Sequence, residues 1–193
     1  MGRYYPINLV LKNKRCLVIG AGIVAQRKVR RLIECGSRVL VISRAITPGL
    51  KTMADKGMII FKRKNVSLRD LLGAYLVIAA TADRSINSVI SAYCRKKNIL
   101  VNVVDSPEEC SFILPSIIRR GDLTISISTG GISPGLAKKI RQYLGKAFGV
   151  EYAALLDMIK KIRPAALKKM KSAKSRKKFF NKMLKGILDD AGN

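Results

Sequence analysis

The stretch that decides the fold is "RCLVIGAGIVAQRKVRRLIECGSRVLVIS", residues 15–43. It opens with a short apolar run that predicts a buried strand, and two glycines follow. Apolar residues then recur at helical spacing until Gly36, and a second apolar run covers residues 38–43. A strand, a helix and a strand in this order indicate a βαβ unit with parallel strands.

Three further apolar runs continue this pattern along the chain. They cover residues 58–62, 75–80 and 99–104, and helical segments are predicted near 47–56, 67–73 and 85–97. These runs are continuously apolar, which is typical of parallel strands covered on both faces. The sequence therefore predicts an α/β fold whose N-terminal domain, residues 1–113, is a Rossmann-like, doubly wound parallel sheet.

The pattern changes after residue 113. The segments "FIL" and "LTISIS" predict strands separated by the turn "RRGD", and an amphipathic helix is predicted over about 134–146. We expect residues 114–148 to form a central α+β segment. Residues 149–193 predict a C-terminal helical segment that Pro164 interrupts.

The glycines of residues 15–43 match a dinucleotide fingerprint. "GAGIVA" reads G-x-G-x-x-A, and it lies between a predicted strand and a predicted helix, as the fingerprint requires. Gly20 permits the tight turn, Gly22 lets the backbone approach a pyrophosphate, and Ala25 allows close packing of the helix on the strand. The alternative is a glycine turn that only packs a helix against a strand.

The residues after the second and fourth predicted strands bear on how a nucleotide would bind. The second strand ends in Ser43-Arg44 and lacks the acid that binds the ribose of NAD, so Arg44 could contact a 2′-phosphate or lie over an adenine. Thr81 follows the fourth strand, at the edge where the cofactor of such folds binds, and predicts a ribose or nicotinamide contact. Its alternative role is to cap the next helix.

Asp105 directly follows the fifth strand, so we expect it at the same edge of the sheet. A carboxylate there can accept a proton or hold a substrate nitrogen while a hydride leaves. The alternative is a turn-forming aspartate before Ser-Pro that satisfies its own backbone.

A second group of polar residues precedes the helix predicted over 134–146. Hydroxyls and exposed amides at such a position can form an anion-binding nest, and here they belong to Ser128, Thr129, Gly130, Gly131 and Ser133. The alternative is a plain turn in which Ser133 caps the helix and Pro134 occupies its first position. The two roles are compatible.

Composition limits the function classes. The chain of 193 residues has 38 Lys and Arg against 12 Asp and Glu, a formal net charge of +26, which favours nucleic acid, an anionic membrane or a substrate with several carboxylates. It has no histidine and four scattered cysteines, so we expect no metal site. The longest apolar run is too short to cross a bilayer, and the start resembles no secretory signal, so a cytoplasmic location is expected.

Three stretches together resemble the precorrin-2 dehydrogenase family of sirohaem synthesis, which includes the N-terminal part of bacterial sirohaem synthase. They are "YYPINLVLKNKRCLVIGAGIVAQRKVRRLIECGSRVLVIS", "AATADRSIN" and "VNVVDSPEECSFILPSIIRRGDLTISISTGGISPGLAKKIR". The likeness covers about residues 4–146. Its blocks "NVVD-x-P", "F-x-x-P-S-I-I" and "S-x-G-G-x-S-P" are not general features of Rossmann folds.

The resemblance implies NAD-dependent oxidation of precorrin-2 to sirohydrochlorin by a homodimer whose central segments interlock. It implies that Asp105 is catalytic, and it places nucleotide contacts at Ile23, Val24, Arg44 and Ala45. Because the family uses NAD, it favours the adenine role of Arg44 over the 2′-phosphate role. Precorrin-2 carries eight carboxylate side chains, which would suit a cationic cleft. We therefore expect substrate contacts at Ser128, Thr129, Gly130, Arg119 and Arg120. We also expect the cations Arg119, Arg120, Lys138, Lys139 and Arg141 to surround the loop that contains Ser128–Ser133.

Two departures from the family pattern matter. Thr129 stands where serine is frequent, and without histidine no imidazole can assist the ferrous iron insertion that some members perform. Two alternatives come from other classes. The basic stretch "KKMKSAKSRKKFFNKMLKG" could bind nucleic acid or a phospholipid surface, although we expect neither partner. A tetrapyrrole sensor would bind substrate without turnover.

Overall fold

The computed structural model of the chain describes residues 4–170 and 172–190, except for the side chains of 185–190. The chain divides into two compact units, the first ending at Leu114 and the second beginning at Pro115. The finer division into a central and a helical segment near residue 148 stays a prediction.

The first unit is built on a five-stranded parallel sheet. Its strands are β1 (Arg15–Ile19), β2 (Arg38–Ser43), β3 (Ile60–Arg63), β4 (Leu76–Ala79) and β5 (Leu100–Val103). Their order in the sheet is β3-β2-β1-β4-β5, and all four pairings are parallel. This order reverses direction between β1 and β4, which places a crevice at the carboxyl ends of those strands. The predicted doubly wound fold is confirmed.

Helices cover both faces of this sheet. They are α1 (Ile23–Glu34), α2 (Pro48–Asp55) and α3 (Arg84–Lys96), and two separate hydrophobic clusters lie between helices and strands. The helix predicted over 67–73 is wrong in kind, since only a 3₁₀ turn forms at Leu68–Leu71. Asp70 accepts hydrogen bonds from Ser67 that close this single turn, and left-handed Gly73 follows it.

The second unit begins with an antiparallel hairpin. Its strands are β6 (Ser116–Arg120) and β7 (Leu123–Ile127), and α4 (Pro134–Ala147), α5 (Glu151–Lys169) and α6 (Ala173–Asp190) follow. The strand predicted at "FIL" forms instead after Pro115. Phe112 packs against the core of the first unit, and Pro115 has no amide to donate to a strand pairing. The predicted turn at "RRGD" is confirmed, with Gly121 in the left-handed conformation.

Pro164 lies inside α5 and does not interrupt it. A proline at this position removes the hydrogen bond to the carbonyl of Lys160, and both residues are exposed, so water can bind that carbonyl. The basic stretch singled out in the sequence includes residue 171 and side chains beyond 184, which lie outside the described residues. Over the part of the chain that is described, no helix has both the length and the apolar character that a bilayer span needs.

Candidate functional site

The glycine turn joins the ends of three strands. Gly20 donates to the carbonyl of Ile42 at 2.9 Å, and Ala80 donates to the carbonyl of Ile19 at 2.8 Å. The φ angle of Gly20 is +100°, and a Cβ added there would lie 2.3 Å from the carbonyl oxygen of Ala80. Because any side chain would strike the end of β4, only glycine fits this turn.

The start of α1 is open to a ligand. Gly22 is the N-cap without a side-chain cap, the first turn carries no acid, and a Cβ at Gly22 would meet no atom within 4 Å. The first amides of a helix lack intrahelical partners and favour an anion. Ile23 and Val24 are 64% and 37% exposed beside these amides, and buried Ala25 packs α1 onto the sheet. This turn fits the pyrophosphate of a dinucleotide.

The segment after β2 lies beside α1. Arg44 and Ala45 are both exposed, and Thr47 anchors the segment because its Oγ1 donates to Oε1 of Gln26 at 2.7 Å while it also caps α2. The backbone of this anchored segment thus places Arg44 near the nucleotide turn. Both of its predicted contacts, with an adenine or with a 2′-phosphate, stay open.

Thr81 is fixed by a buried asparagine. Asn87 is 4% exposed; its Oδ1 accepts from Thr81 Oγ1 at 2.8 Å, and its Nδ2 donates to the Thr81 carbonyl at 3.1 Å. Asp83, not Thr81, caps α3 by accepting from the amides of Ser85 and Ile86. The capping role is therefore wrong for Thr81, and its cofactor contact stays a prediction.

Asp105 lies just past the carboxyl end of β5. Val104 donates to the carbonyl of Ala79 at 2.9 Å, which extends the β4–β5 pairing up to the aspartate. Asp105 is exposed, its φ is +62°, and among the described residues its carboxylate receives no hydrogen bond. It does not satisfy its own backbone. Two strand spacings, about 10 Å, separate β5 from β1 and its glycine turn.

Lys28 of α1 and Asn102 of β5 form a polar cluster that the sequence did not predict. Lys28, in the second turn of α1, donates from Nζ to Oδ1 of Asn102 at 3.1 Å. Asn102 is 7% exposed within β5, and its Nδ2 donates to the carbonyl of Phe112 at 3.1 Å. These bonds orient the carboxamide and bring the ammonium of Lys28 to β5, the strand that precedes Asp105.

Burial lowers the pKa of Lys28, and the charges of Arg31 and Arg27 lower it further. Cys110 and Asp105 act in the opposite direction on the pKa of Lys28. Asp105 therefore lies within electrostatic range of this lysine.

Sequence reasoning missed Lys28, Asn87 and Asn102, although each carries a signal. Lys28 lies next to Val29 on the buried stripe of α1, Asn87 lies on the buried face of α3, and Asn102 is the one polar residue of its apolar strand. A polar side chain in such a stripe must find a partner inside the protein.

The cysteines contribute packing. All four are free; Cys16 and Cys94 are buried, and Cys35 and Cys110 are partly buried. Burial raises the pKa of Cys94 to about 11, so its thiol stays protonated at neutral pH. Within residues 4–170 and 172–190, no three or more His, Cys, Asp or Glu side chains group to hold a metal ion.

In the second unit, the loop before α4 is a closed turn. Ser133 Oγ caps the helix by accepting from the Leu136 amide at 3.2 Å, and Pro134 occupies the first helical position. Thr129 Oγ1 donates to the carbonyl of Ser133 at 3.0 Å and accepts from its amide at 3.1 Å. The predicted capping turn is confirmed, and Thr129 supplies its closing contact.

The same loop leaves room around its glycines. Gly130 and Gly131 have φ angles of +65° and +86°, and a Cβ on either would meet nothing within 4 Å. Ser128 is exposed, and its Oγ accepts from the Gly130 amide at 3.2 Å. Ser128, Thr129 and Gly130 thus lie together as predicted, and their contact with substrate stays a prediction.

Arg120 does not lie beside that loop. Its guanidinium donates to the carbonyls of Phe148 at 3.0 Å, Gly145 at 3.2 Å and Arg119 at 3.1 Å. The first two carbonyls lie at the C-terminal end of α4, about 20 Å along the helix from its N-cap. The expectation that Arg120 surrounds the loop is wrong because the side chain is engaged at the other end of the helix. Arg119 has an exposed side chain.

Comparison with known proteins identifies the family to which the chain belongs. The model of the putative NAD(P)-binding family matches residues 7–116, and that of the sirohaem biosynthesis protein central domain matches residues 120–146. Sirohaem synthases of Nitrosococcus oceani and Methylococcus capsulatus are 36% and 34% identical over 96% and 95% of this chain. The chain spans only 40% and 39% of their lengths.

A solved structure agrees over nearly the whole chain. It is SirC, a precorrin-2 dehydrogenase, which is similar with a TM-score of 0.78 and 29% identity, over 97% of this chain and 90% of that one. The nucleotide class predicted from the glycine turn is confirmed by the NAD(P)-binding family model. The chain therefore belongs to the putative NAD(P)-binding family, and it is similar to sirohaem synthases and to a precorrin-2 dehydrogenase.

Proposed function

We propose that this chain oxidises precorrin-2 to sirohydrochlorin with NAD⁺, as a step of sirohaem synthesis. The observation that carries the proposal is Asp105, an exposed carboxylate at the carboxyl edge of β5, about 10 Å from the glycine turn. Similarity to sirohaem synthases and to a precorrin-2 dehydrogenase supports the choice of reaction.

The nucleotide would be held by the turn between β1 and α1. Amides after Gly22 would bind the pyrophosphate, and Ile23 and Val24 would cover it. Arg44 and Ala45 would line the adenosine end, and Thr81 would contact the ribose or nicotinamide end. NAD⁺ supplies the hydride acceptor when bound.

Asp105 would take the proton that leaves as conjugation of the tetrapyrrole extends. The substrate then loses one hydride and one proton, so that charge and electrons balance. The left-handed backbone at Asp105 ends the strand abruptly, and the side chain is exposed to solvent at the edge of the sheet.

The substrate's carboxylates would find cations and an unobstructed glycine loop on the second unit. The loop Ser128–Ser133 offers an exposed hydroxyl and two unobstructed glycines, and exposed Arg119, Lys138 and Lys139 add positive charge. Iron insertion stays a prediction of the resemblance alone.

A homodimer is part of the proposal. Leu136 and Tyr143 lie seven residues apart on one face of α4 and are 51% and 79% exposed, and neighbouring Ile132 is 89% exposed. Apolar side chains grouped in this way favour burial against a second copy. Sedimentation of a monomer would exclude it.

The test is anaerobic mixing of precorrin-2, NAD⁺ and protein, followed by the absorption of NADH and sirohydrochlorin. We expect stoichiometric NADH from the wild-type chain and at least about a hundredfold slower turnover from Asp105→Asn, because a general base contributes roughly that factor. Asparagine suits the site, since Asn13 and Asn98 adopt the same left-handed backbone in this protein.

Asp55→Asn makes the same chemical change at an exposed position at the end of α2 and should leave the rate unchanged. NAD⁺ affinity, measured by calorimetry, should be equal in both variants and the wild type. Full activity of Asp105→Asn would refute the assignment of the base. Tetrapyrrole binding without NADH would instead identify a sensor, and salt-dependent retention on DNA without NADH a nucleic-acid binder.

A further inference from the structure

Three strand ends of the first unit lie side by side at the nucleotide turn. β4 lies between β1 and β5 in the sheet, so Thr81 lies between the glycine turn and Asp105. The glycine turn is close to Thr81, since a Cβ on Gly20 would lie 3.1 Å from the Thr81 amide nitrogen. A dinucleotide whose pyrophosphate binds at the glycine turn and whose nicotinamide reaches Asp105 would therefore pass Thr81.

The side chain of Asn87 holds Thr81 by three hydrogen bonds. Its Oδ1 accepts from the Thr81 hydroxyl at 2.8 Å and from the Thr81 amide at 3.3 Å, and its Nδ2 donates to the Thr81 carbonyl at 3.1 Å. The backbone fixes the orientation of this carboxamide, because a backbone amide can only donate and a carbonyl can only accept. Asn87 is 4% exposed, so turning it away from these partners would leave buried polar groups unpaired.

These bonds decide what the Thr81 hydroxyl can offer to a ligand. A hydroxyl carries one proton, and the nearest acceptors for this one are Oδ1 of Asn87 at 2.8 Å and the carbonyl of Asp83 at 2.9 Å. Both acceptors belong to the protein, so the proton is used there. Thr81 is only partly buried, and the lone pairs of its hydroxyl oxygen remain for a ligand. The hydroxyl therefore suits a ligand group that carries an N–H or an O–H.

We propose that Asn87 is a positioning residue of the nucleotide site: it sets the Thr81 hydroxyl as an acceptor for a donor group at the nicotinamide-ribose end of the dinucleotide. That end carries two kinds of donor, the carboxamide N–H of nicotinamide and the hydroxyls of its ribose. The inference rests on the proposed function for the placement of this end of NAD⁺. It concerns binding of the nucleotide and does not involve the proton transfer at Asp105.

Three ligands and two variants of Thr81 locate the donor group. NAD⁺ carries both kinds of donor, ADP-ribose keeps the second ribose without nicotinamide, and ADP lacks the nicotinamide riboside altogether. Thr81→Val has the same shape without the hydroxyl, and we expect it to bind NAD⁺ about fivefold more weakly and ADP as before, measured by calorimetry. Thr81→Ser keeps the hydroxyl and should keep the wild-type affinity. A loss for ADP-ribose as well identifies a ribose hydroxyl as the donor, and a loss for NAD⁺ alone identifies the carboxamide.

Asn87→Ala tests the positioning role, because it removes all three bonds to Thr81. We expect NAD⁺ to bind at least about fivefold more weakly and ADP to bind as before. Ser91→Ala is the matched control: Ser91 lies one helical turn later on α3, is 3% exposed, and donates to the carbonyl of Glu109 at 2.5 Å. The control should unfold at a lower temperature and keep its NAD⁺ affinity. If Asn87→Ala does not fold, Asn87→Leu fills the same space without polar atoms and replaces it.

The double variant Thr81→Val/Asn87→Ala separates positioning from a general loss of structure. If Asn87 acts through the Thr81 hydroxyl, the double variant should bind NAD⁺ no more weakly than the weaker of the two single variants. Losses that multiply would overturn the proposal, and so would equal weakening of NAD⁺ and ADP or an unchanged NAD⁺ affinity in a folded variant of Asn87. A wild-type chain that binds NAD⁺ but makes no NADH from precorrin-2 would refute the proposed function and leave this inference standing.

Discussion

Gly20 and Gly22 belong to one turn and face opposite constraints. At Gly20 the protein itself leaves no room, since the backbone of β4 occupies the place of a side chain. At Gly22 the protein leaves the space empty. The first glycine is therefore required by the fold, and the second is required only if a ligand comes close.

Gly20→Ala should destabilise the first unit by at least about 2 kcal/mol, because alanine adds a clash with Ala80 and a left-handed backbone penalty. Gly22→Ala should change the free energy of unfolding by less than about 1 kcal/mol. It should weaken NAD⁺ binding at least about tenfold, because its Cβ takes the space of the pyrophosphate. Urea unfolding and calorimetry measure the two effects. Equal stability losses would contradict this division.

The sequence predicted residues with a fixed place in a motif better than residues that depend on packing. Gly20, Gly22 and Asp105 lie where the alternation of strands and helices indicates. Lys28, Asn87 and Asn102 were missed because their partners lie between 6 and 74 positions away. Arg120 was placed at the wrong end of α4 because spacing alone does not show which carbonyls a long side chain reaches.

At the scale of elements, the connection between β3 and β4 is held by polar bonds. Asp70 accepts from the amide and the hydroxyl of Ser67, both at 2.8 Å, and pairs with Lys64 at 2.6 Å. Burial opposes ionisation, but Lys64 and Ser67 outweigh it and lower the pKa of Asp70 to about 2. Arg15 adds a bond from β1 to the carbonyl of Asp70 at 3.0 Å.

Asp70→Asn should lower the free energy of unfolding by about 1 kcal/mol at neutral pH, a value reduced for solvent screening of this surface pair. The folded carboxyl has the lower pKa, so its contribution is complete above about pH 4 and disappears as the pH falls toward about 2. Urea unfolding of both proteins across that range measures the difference. Asp55→Asn, without such partners, should show no such trend. A gap between wild type and Asp70→Asn that persists at the lowest pH would contradict the assignment.

Element boundaries show what periodicity can and cannot predict. The strands of the parallel sheet were each found within two residues of their observed start, and most are apolar runs, whereas β3 ends in Lys62-Arg63 and is largely exposed. The 3₁₀ turn and the first strand of the hairpin were misjudged because side-chain hydrogen bonds and Pro115 decided them. Pro164 was expected to end a helix, and its exposed surroundings let the helix continue.

For the whole molecule, the large positive charge bears on how the proposed substrate would approach. The chain has 38 Lys and Arg against 12 acids, and nearly all described lysines are exposed. Exposed charges act over about 10 Å at moderate salt, so they steer a polyanion more than they fix its final pose.

Raising the ionic strength from about 0.05 to about 0.5 M should raise KM for precorrin-2 about tenfold or more, because salt screens the attraction of its carboxylates. KM for NAD⁺ should rise less than about threefold, since its binding relies on the glycine turn and the start of α1. Initial rates at fixed pH measure both constants. Equal salt dependence of the two would show that charge does not single out the tetrapyrrole.

The left-handed backbone at Asp105 restricts how this position can evolve. Glycine, asparagine and aspartate adopt that conformation readily, and glutamate does not. Replacing the acid by the longer acid would therefore distort the turn, whereas losing it to asparagine would leave the architecture undisturbed. For the base proposed above, a single substitution by asparagine would therefore stop turnover in a descendant that still folds as well as its ancestor.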